Sequence, residues 1–438
     1  MKNPYGTYKV IANLHNSVAS VAEGSLLYAS DGNFYAESLD GGYQDSCTVF
    51  RCTPNGMLTT VINLDSVWGA SGPLGNSLME ASDHNLYGMT YMGGSTLQGV
   101  LFRYQLNGHY DSIHTFTGGN DGSHPNGSLI QTPDGNLWGM TTSGGTSLEG
   151  VIFKCSVTGA LTSIHEFSGT DGREPMGDLL LASDSNFYGM TSLGGLYNLG
   201  VLFRITQAGV YTKLVDFDST NGAYPQGSLI QGTDGNLYGL TSGLYQTSPF
   251  DSTIILNPVM AYGTLFSCTL SGTLTTLHTF GRSGGFYPMG TLFQGTDGML
   301  YGMTYMDSIG SGTIFKSTTS GTLTTIHIFN DTNGAFPMYG KLIIPNTTES
   351  IQEINKSVGV SVFPNPFTNS TTIQVESGKY KGENYLELYD LTGQKLKTIE
   401  FKGNTYILSA EGLANGMYFI RVYNGNENVI GTSKIVIQ

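Results

Sequence analysis

The sequence predicts an all-β protein: a β-propeller of six full four-stranded repeats plus split remnants of a seventh blade, followed by a small immunoglobulin-like β-sandwich. Three observations carry that reading. Glycine supplies 61 of 438 residues without a Gly-X-Y period, while 26 Tyr and 21 Phe exclude a disordered chain. Strand-like segments recur with a period near fifty residues through position 344. Beyond that point the composition changes and a second, shorter set of strands begins.

The repeat is anchored on a strand-turn-strand unit whose turn aspartates are Asp31, Asp83, Asp134, Asp184, Asp234 and Asp297. Their spacings are 52, 51, 50, 50 and 63. Each period holds four strand signals, A to D. In the third copy these are Ser128 to Gln131, Asn136 to Thr141, Gly150 to Ser156 and Ala160 to Phe167. Asp-Gly turns join A to B, Gly-containing turns join C to D, and no helical period intervenes. Units of this length suit the radial blades of a propeller, whereas a parallel β-helix needs shorter rungs.

Both ends of the array carry strays. Gly6 to Leu14 aligns with strand D of Gly272 to Phe280, and Gly340 to Ile344 repeats strand A of Gly290 to Phe293, fifty residues on. A lone D and a lone A are the two ends of one more blade. They predict a seven-bladed natural protein whose start, with strands B and C and a signal peptide, is missing from this chain. The opening Met1-Lys2-Asn3-Pro4-Tyr5-Gly6 accordingly lacks a signal peptide's apolar run. The expected domain division is 1–344 for the propeller, 345–358 for a polar linker and 359–438 for the sandwich. In the last part strands are expected at Thr371 to Glu376, Tyr385 to Asp390, Lys395 to Phe401, Tyr406 to Ser409, Met417 to Tyr423 and Ser433 to Ile437.

Four ordered motifs mark that last part: Val362-Phe363-Pro364-Asn365-Pro366-Phe367, Leu388-Tyr389-Asp390-Leu391-Thr392-Gly393-Gln394, Leu413-Ala414-Asn415-Gly416-Met417-Tyr418-Phe419-Ile420-Arg421-Val422, and Lys434-Ile435-Val436-Ile437. They resemble the type A C-terminal sorting domain of type IX secretion cargo. The resemblance implies motif roles for Pro364, Asn365, Pro366, Phe367, Asp390, Gly393, Gly416, Tyr418 and Lys434. It also implies the type IX secretion machinery as partner, and a location outside, or on the outer-membrane surface of, a Gram-negative bacterium. The first half resembles the GloVer tandem repeat, through LIQ-x-x-DGNLYGMT-x-x-GG stretches and the GVLF strands that follow. That resemblance implies no activity.

The chain carries 19 basic against 33 acidic residues, a net charge of −14, with no basic cluster. This excludes a nucleic-acid or anionic-membrane surface. No apolar run reaches the length of a transmembrane helix. No G-x-S-x-G nucleophile elbow between a strand and a helix, no H-E-x-x-H and no Walker-type loop is found, so no catalytic residue, cofactor or metal site is assigned. His114, His165, His278 and His327 repeat one strand-D position in different blades, too far apart to share a metal. Cys52, Cys155 and Cys268 repeat one strand-C position in non-adjacent blades, which predicts free thiols. The segment Asp216 to Gly222 places its glycine one residue too late for a calcium loop.

Ligand contact is expected on the face that gathers the long B–C and D–A connections, because variable loops on a rigid frame carry binding. There the residues before proline are His124, Glu174, Tyr224, Tyr287 and Phe336, four of them rings able to stack on a sugar or hold a peptide. The insertion Ser242 to Gly263 adds Tyr245 and Phe250 to the same face. The candidate ligand is a glycan or a protein. Packing between blades explains the same rings without any ligand. A polysaccharide-acting glycosidase or lyase and a purely structural surface repeat are the other readings.

Overall fold

The computed structural model describes residues 12, 14, 25–38, 47–64, 77–243, 245–248, 251–255, 262–282, 284–308, 311–330, 336–337, 340–342, 360–363, 365, 367–375, 383–389, 395–414, 416–424 and 429–437. The chain forms two compact units, Met1–Ile343 and Ile344–Gln438. Every named element is a strand.

The first unit contains six four-stranded antiparallel sheets, each in the chain order A-B-C-D. The third blade comprises Ser123–Gln131, Leu137–Ser143, Val151–Cys155 and Leu161–Glu166. Strands B and C are buried along nearly their whole length, as in Phe187–Thr191 and Val201–Ile205, because each is covered by a blade on either side. Strand D is the half-exposed outer edge. In five blades a glycine in strand B lets the strand-C phenylalanine lie across the sheet. A Cβ at Gly139, Gly189 or Gly239 would strike the ring of Phe153, Phe203 or Phe266.

Strand D departs from simple alternation. In all six blades its register against strand C shifts beside the strand-C phenylalanine. The residue skipped by that bulge is Val61, Ile113, Ile164, Leu214, Leu277 or Ile326, and the first five of these pack against the core clusters. A β-bulge re-aims a side chain and strengthens twist. Here it turns one aliphatic group per blade inward. The C–D turn of the next blade then seats on the bulge, Gly159 against the Ile113 carbonyl and Gly321 against that of Leu277.

Around the axis, successive inner glycines stack so closely that a Cβ on Gly127, Gly177, Gly227 or Gly290 would collide with the carbonyl of Gly177, Gly227, Gly290 or Gly340. The residues after them join the same ring. Ser128 N donates to Asp178 Oδ1 at 2.5 Å, Asp178 N to Ser228 Oγ at 2.8 Å and Ser228 N to Thr291 Oγ1 at 3.1 Å. Lys341 bridges Thr291 in parallel and donates its N–H to Ser25 Oγ at 2.9 Å, and Ser25 N donates to Ser77 Oγ at 2.7 Å. The stray strand A therefore lies between the sixth and first blades as a seventh inner segment. The stray strand D, Gly6 to Leu14, lies outside the described residues except at positions 12 and 14.

The fifth-unit insertion, read from sequence as a loop, contains a hairpin that pairs Tyr245–Ser248 with Asp251–Ile255. Its β-branched run Thr253-Ile254-Ile255 has the propensity for this. The side chains of Tyr245 and Phe250 lie outside the described residues.

In the second unit a three-stranded sheet joins Val360–Phe363, Ser370–Val375 and Thr405–Ser409, and a four-stranded one joins Lys395–Lys402, Glu383–Tyr389, Gly416–Asn424 and Val429–Ile437. One core, including Val360, Phe367, Ile373, Leu386, Ile420 and Ile435, draws on both sheets. Strand Val360–Phe363 was not among the expected strands, and the last strand begins four residues earlier than expected.

Candidate functional site

Antiparallel order puts the A–B and C–D turns on one face and the B–C and D–A connections on the other. On the turn face the aspartates bond within their own turns. Asp31, Asp83, Asp184 and Asp234 each accept the N–H and Nδ2–H of an asparagine two residues on and the hydroxyl of a tyrosine four residues on. Burial works against the charge of Asp234, but the bonds from Tyr238 and Asn236 outweigh it and hold the carboxyl below its usual range. Burial, then the same bond, pushes Tyr238 up to about 12. These carboxylates are turn caps.

On the loop face the five residues before proline share an uncommon backbone. His124, Glu174, Tyr224, Tyr287 and Phe336 have φ of 53, 50, 54, 58 and 52°. A bulky non-glycine residue persists there only where its surroundings fix it. One bond recurs in every copy. The N–H of His124, Glu174, Tyr224, Tyr287 and Phe336 donates to the carbonyl of Gln98, Glu149, Leu199, Tyr262 and Ser311, in the B–C loop of the preceding blade, at 2.8 to 3.0 Å. The carbonyls of His124, Glu174, Tyr224 and Tyr287 accept from the following blade, as from Thr142 Oγ1 to His124 at 2.9 Å and from Ser242 Oγ to Tyr224 at 2.8 Å. The proline then packs on a glycine of the preceding blade, Pro225 on Gly200 for example, where a Cβ would not fit.

The rings themselves are unequally engaged. His124 lies 4.7 Å from Tyr91 between centroids, Tyr287 lies 5.8 Å from Tyr262 and 4.9 Å from Phe286, and Phe336 lies 5.5 Å from Tyr305. Burial lowers the imidazole pKa of His124 and raises the phenol pKa of Tyr287. Phe336 nevertheless stays 44% exposed. Tyr224 rests one edge on the core of the fourth and fifth blades and lines an open cleft of about 510 Å³ with Tyr197, Asn198, Leu199, Asp218, Ser219 and Thr220. Sequence reading placed Tyr224 on this face but missed Tyr197 and dismissed the segment of Asp218. The available signal was the departure of Leu196-Tyr197-Asn198-Leu199 from Ser95-Thr96-Leu97-Gln98 in the second blade.

Histidines and cysteines lie where the repeat puts them. His114 Nε2 meets Asp121 at 3.1 Å and His165 Nε2 meets Asp171 at 2.9 Å, each inside its own blade. Cys47, Cys52, Cys155 and Cys268 are free and buried. Among the described residues no cluster suited to a metal ion occurs, and no helix is long and apolar enough to cross a membrane.

In the second unit, Asn365 Oδ1 accepts the N–H of Val436 at 2.8 Å and Phe367 N donates to the carbonyl of Val436 at 2.9 Å. Phe367 is buried in the core, and the Tyr418 hydroxyl donates to the carbonyl of Ala414 at 2.8 Å. The first and last motifs thus meet across the unit. Gly416 opens a strand, and the Lys434 backbone pairs with Phe419. Pro364, Pro366, Asp390, Gly393 and the side chain of Lys434 lie outside the described residues.

Residues 1–180 and 156–249 match the family model of the Gloeobacter/Verrucomicrobia repeat. The chain belongs to this repeat family. Residues 361–438 match the secretion system C-terminal sorting domain. A tail of this kind belongs to type IX secretion and implies delivery to the cell surface or beyond. No curated protein matches the chain in sequence. Solved structures similar to this member of the repeat family include PorZ, a surface component of the type IX secretion system of Porphyromonas gingivalis. It is 14% identical with a TM-score of 0.39, over 95% of this chain and 51% of that one. The chain thus spans about half the length of PorZ. A gluconolactonase of Xanthomonas campestris is 13% identical with a TM-score of 0.40, over 65% of this chain and 84% of that one. The xyloglucan PUL protein GH43B of Bacteroides ovatus is 13% identical with a TM-score of 0.34, over 96% and 91%.

Proposed function

We propose that the protein is an exported binding module, passed outward by the type IX secretion machinery through its C-terminal sorting domain, whose propeller presents the loop face to an extracellular ligand. One observation carries the binding part. Five non-glycine residues before proline, four of them rings, are held at φ near 50° on a single face. The face is rigid because each of these residues is bonded to the preceding blade, and His124, Glu174, Tyr224 and Tyr287 to the following one as well, and rigidity lowers the cost of binding. His124 and Tyr287 spend much of their ring area on neighbouring aromatics, so contact falls mainly to Phe336 and to the cleft beside Tyr224.

The test compares the full chain with Phe336→Ala, Tyr224→Ala and, on the opposite face, Asn107→Ala, for binding to extracellular polysaccharide fractions and to bacterial surfaces. Loss with the loop-face substitutions alone, in variants that keep the wild-type melting temperature, supports the reading. Loss with Asn107→Ala alone sinks it. Deleting residues 361–438 in a host with this secretion system is expected to abolish surface delivery.

A further inference from the structure

In a repeat array, a blade that leaves the shared pattern marks work done at that blade. The B–C loops of the second and third blades read Gly-Gly-Ser-Thr-Leu-Gln-Gly and Gly-Gly-Thr-Ser-Leu-Glu-Gly, ending at Gly99 and Gly150. The fourth reads Gly-Gly-Leu-Tyr-Asn-Leu-Gly, ending at Gly200, so Tyr197 stands where the others carry the hydroxyl residues Thr96 and Ser147. Tyr197 is 54% exposed.

The connection facing it departs as well. In the second and third blades Asp121 and Asp171 cap the turn after strand D, accepting the N–H of Thr117 at 2.9 Å and of Ser168 at 2.8 Å. In the fourth blade Asn221 does the capping, its Oδ1 accepting the N–H of Asp218 at 2.8 Å. A carboxylate, Asp218, now occupies the position of Thr117 and Ser168. Its Oδ1 accepts Thr220 Oγ1 at 2.6 Å, Thr220 N at 2.7 Å and Asn221 N at 2.9 Å, while Oδ2 accepts no bond among the described residues. The Thr220 hydroxyl, ahead of the opposing effect of burial, holds the carboxyl below its usual range.

Tyr197, Asp218 and Tyr224 line the same cleft, whose volume of about 510 Å³ falls among small-ligand pockets. Its walls are set in advance. Tyr224 is fixed through Leu199 and Ser242, and Asn198, at φ 58°, through the N–H of Gly194 at 3.1 Å. Resting on the binding reading above, we propose that this cleft is a subsite for a neutral sugar residue of an extracellular polysaccharide. A pyranose ring offers an apolar C–H face to Tyr197 and equatorial hydroxyls to Asp218 Oδ2, Ser219 and Thr220, an aromatic wall beside a charged acceptor. An acidic sugar is disfavoured by Asp218 itself and by the net charge of −14.

The experiment titrates the full chain with cello-, xylo-, manno- and laminari-hexaose, with oligogalacturonate and with an oligolysine peptide. Binding of at least one neutral hexaose is expected. Tyr197→Ala and Asp218→Asn should each weaken it at least tenfold, while Tyr197→Phe and the second-blade counterpart Thr96→Ala leave it within twofold. Unchanged melting temperatures separate loss of contact from unfolding. If a neutral hexaose binds and Tyr197→Ala and Asp218→Asn bind it equally well, the subsite is elsewhere and only this inference falls. Preference for oligogalacturonate or oligolysine, or binding of none of the hexaoses, also overturns it. The broader reading stands or falls on the comparison of Phe336→Ala with Asn107→Ala.

Discussion

One side chain contradicts its position in the repeat. Glu37 occupies the strand-B site held elsewhere by Met89, Met140, Met190, Leu240 and Met303, and it is 1% exposed. Neither carboxyl oxygen finds a hydrogen-bond partner among the described residues, and Oε1 points at Gly88 of the next blade. Burial alone pushes its pKa up to about 8. The unfolded carboxyl releases its proton near 4.5, so between about 4.5 and 8 the folded chain holds more protons than the unfolded one. The stability contributed by the neutral acid is complete below that window and is lost as pH rises through it, at up to about 1.4 kcal/mol per pH unit. Glu37→Met should therefore stabilise the propeller by about 1–3 kcal/mol near neutrality, with a gap over wild type that widens from pH 5 to pH 8. Urea melts of both proteins across that range measure the gap, and a constant difference would refute the assignment. The thiols give a second prediction at this scale. Burial raises Cys52 and pushes Cys155 and Cys268 up to about 11 each. At pH 8 the folded protein should leave Ellman's reagent essentially unreacted, and all four thiols should report in urea; rapid reaction of the folded protein would show that the strand-C positions open to solvent.

Between elements, one contact pairs residues that vary together from blade to blade. The N–H at the start of the A–B turn donates to the last strand-A side chain of the next blade: Ser30 to Glu80, Ser82 to Gln131, Ser183 to Gln231 and Thr233 to Gln294, at 2.7 to 2.9 Å. At the remaining junction between complete blades the donor position is Pro133, which has no N–H, and the acceptor position is Leu181. Loss of the donor thus coincides with loss of the acceptor, as expected if an acceptor left without its donor is costly. Ser183→Pro and Gln231→Leu should each destabilise by about 1 kcal/mol, and the double variant, which recreates the Pro133–Leu181 pair, should cost less than their sum. Strict additivity in a double-mutant cycle would remove the pairing argument. Other inter-element features were hidden from sequence for identifiable reasons. The strand-D bulge leaves composition untouched and only shifts which of Ile164 and His165 faces inward. The backbone at Tyr224 is set by Leu199 and Ser242, one on each side in neighbouring blades, and the preference of a residue before proline argues against the αL form it adopts. Asp218 and Tyr197 come together only because loops from the B–C and D–A connections share a face, so their combination was legible once topology was fixed.

At the scale of the molecule the repeat was the most legible feature, because a fifty-residue period with an Asp-centred turn specifies a blade almost without regard to the rest of the chain. Closure was legible only as a count of stray strands. What it meets in space is decided by Lys341, whose residue type says nothing about the site: its backbone N–H reaches Ser25 and its bridge reaches Thr291. A ring behaves differently from an open stack of repeats. In an open array each unit answers to its neighbours alone, whereas a closed ring loses both contacts of its last segment at once. Among the described residues three hydrogen bonds hold that segment, from Phe336 N to Ser311 O, from Thr291 N to Gly340 O and from Lys341 N to Ser25 Oγ. At about 1 kcal/mol each they contribute roughly 3 kcal/mol to the propeller, two seating the segment on the sixth blade and the third tying it to the first. Ending the chain at Asn330 should therefore lower the stability of the propeller by about that amount and expose the first blade to proteolysis. Ending it at Ile343, which keeps the seventh segment and drops only the sorting unit, should leave the melting temperature within a few degrees of the full chain. Should both truncations melt alike, the seventh segment would be an appendage and the six complete blades would hold their ring without it.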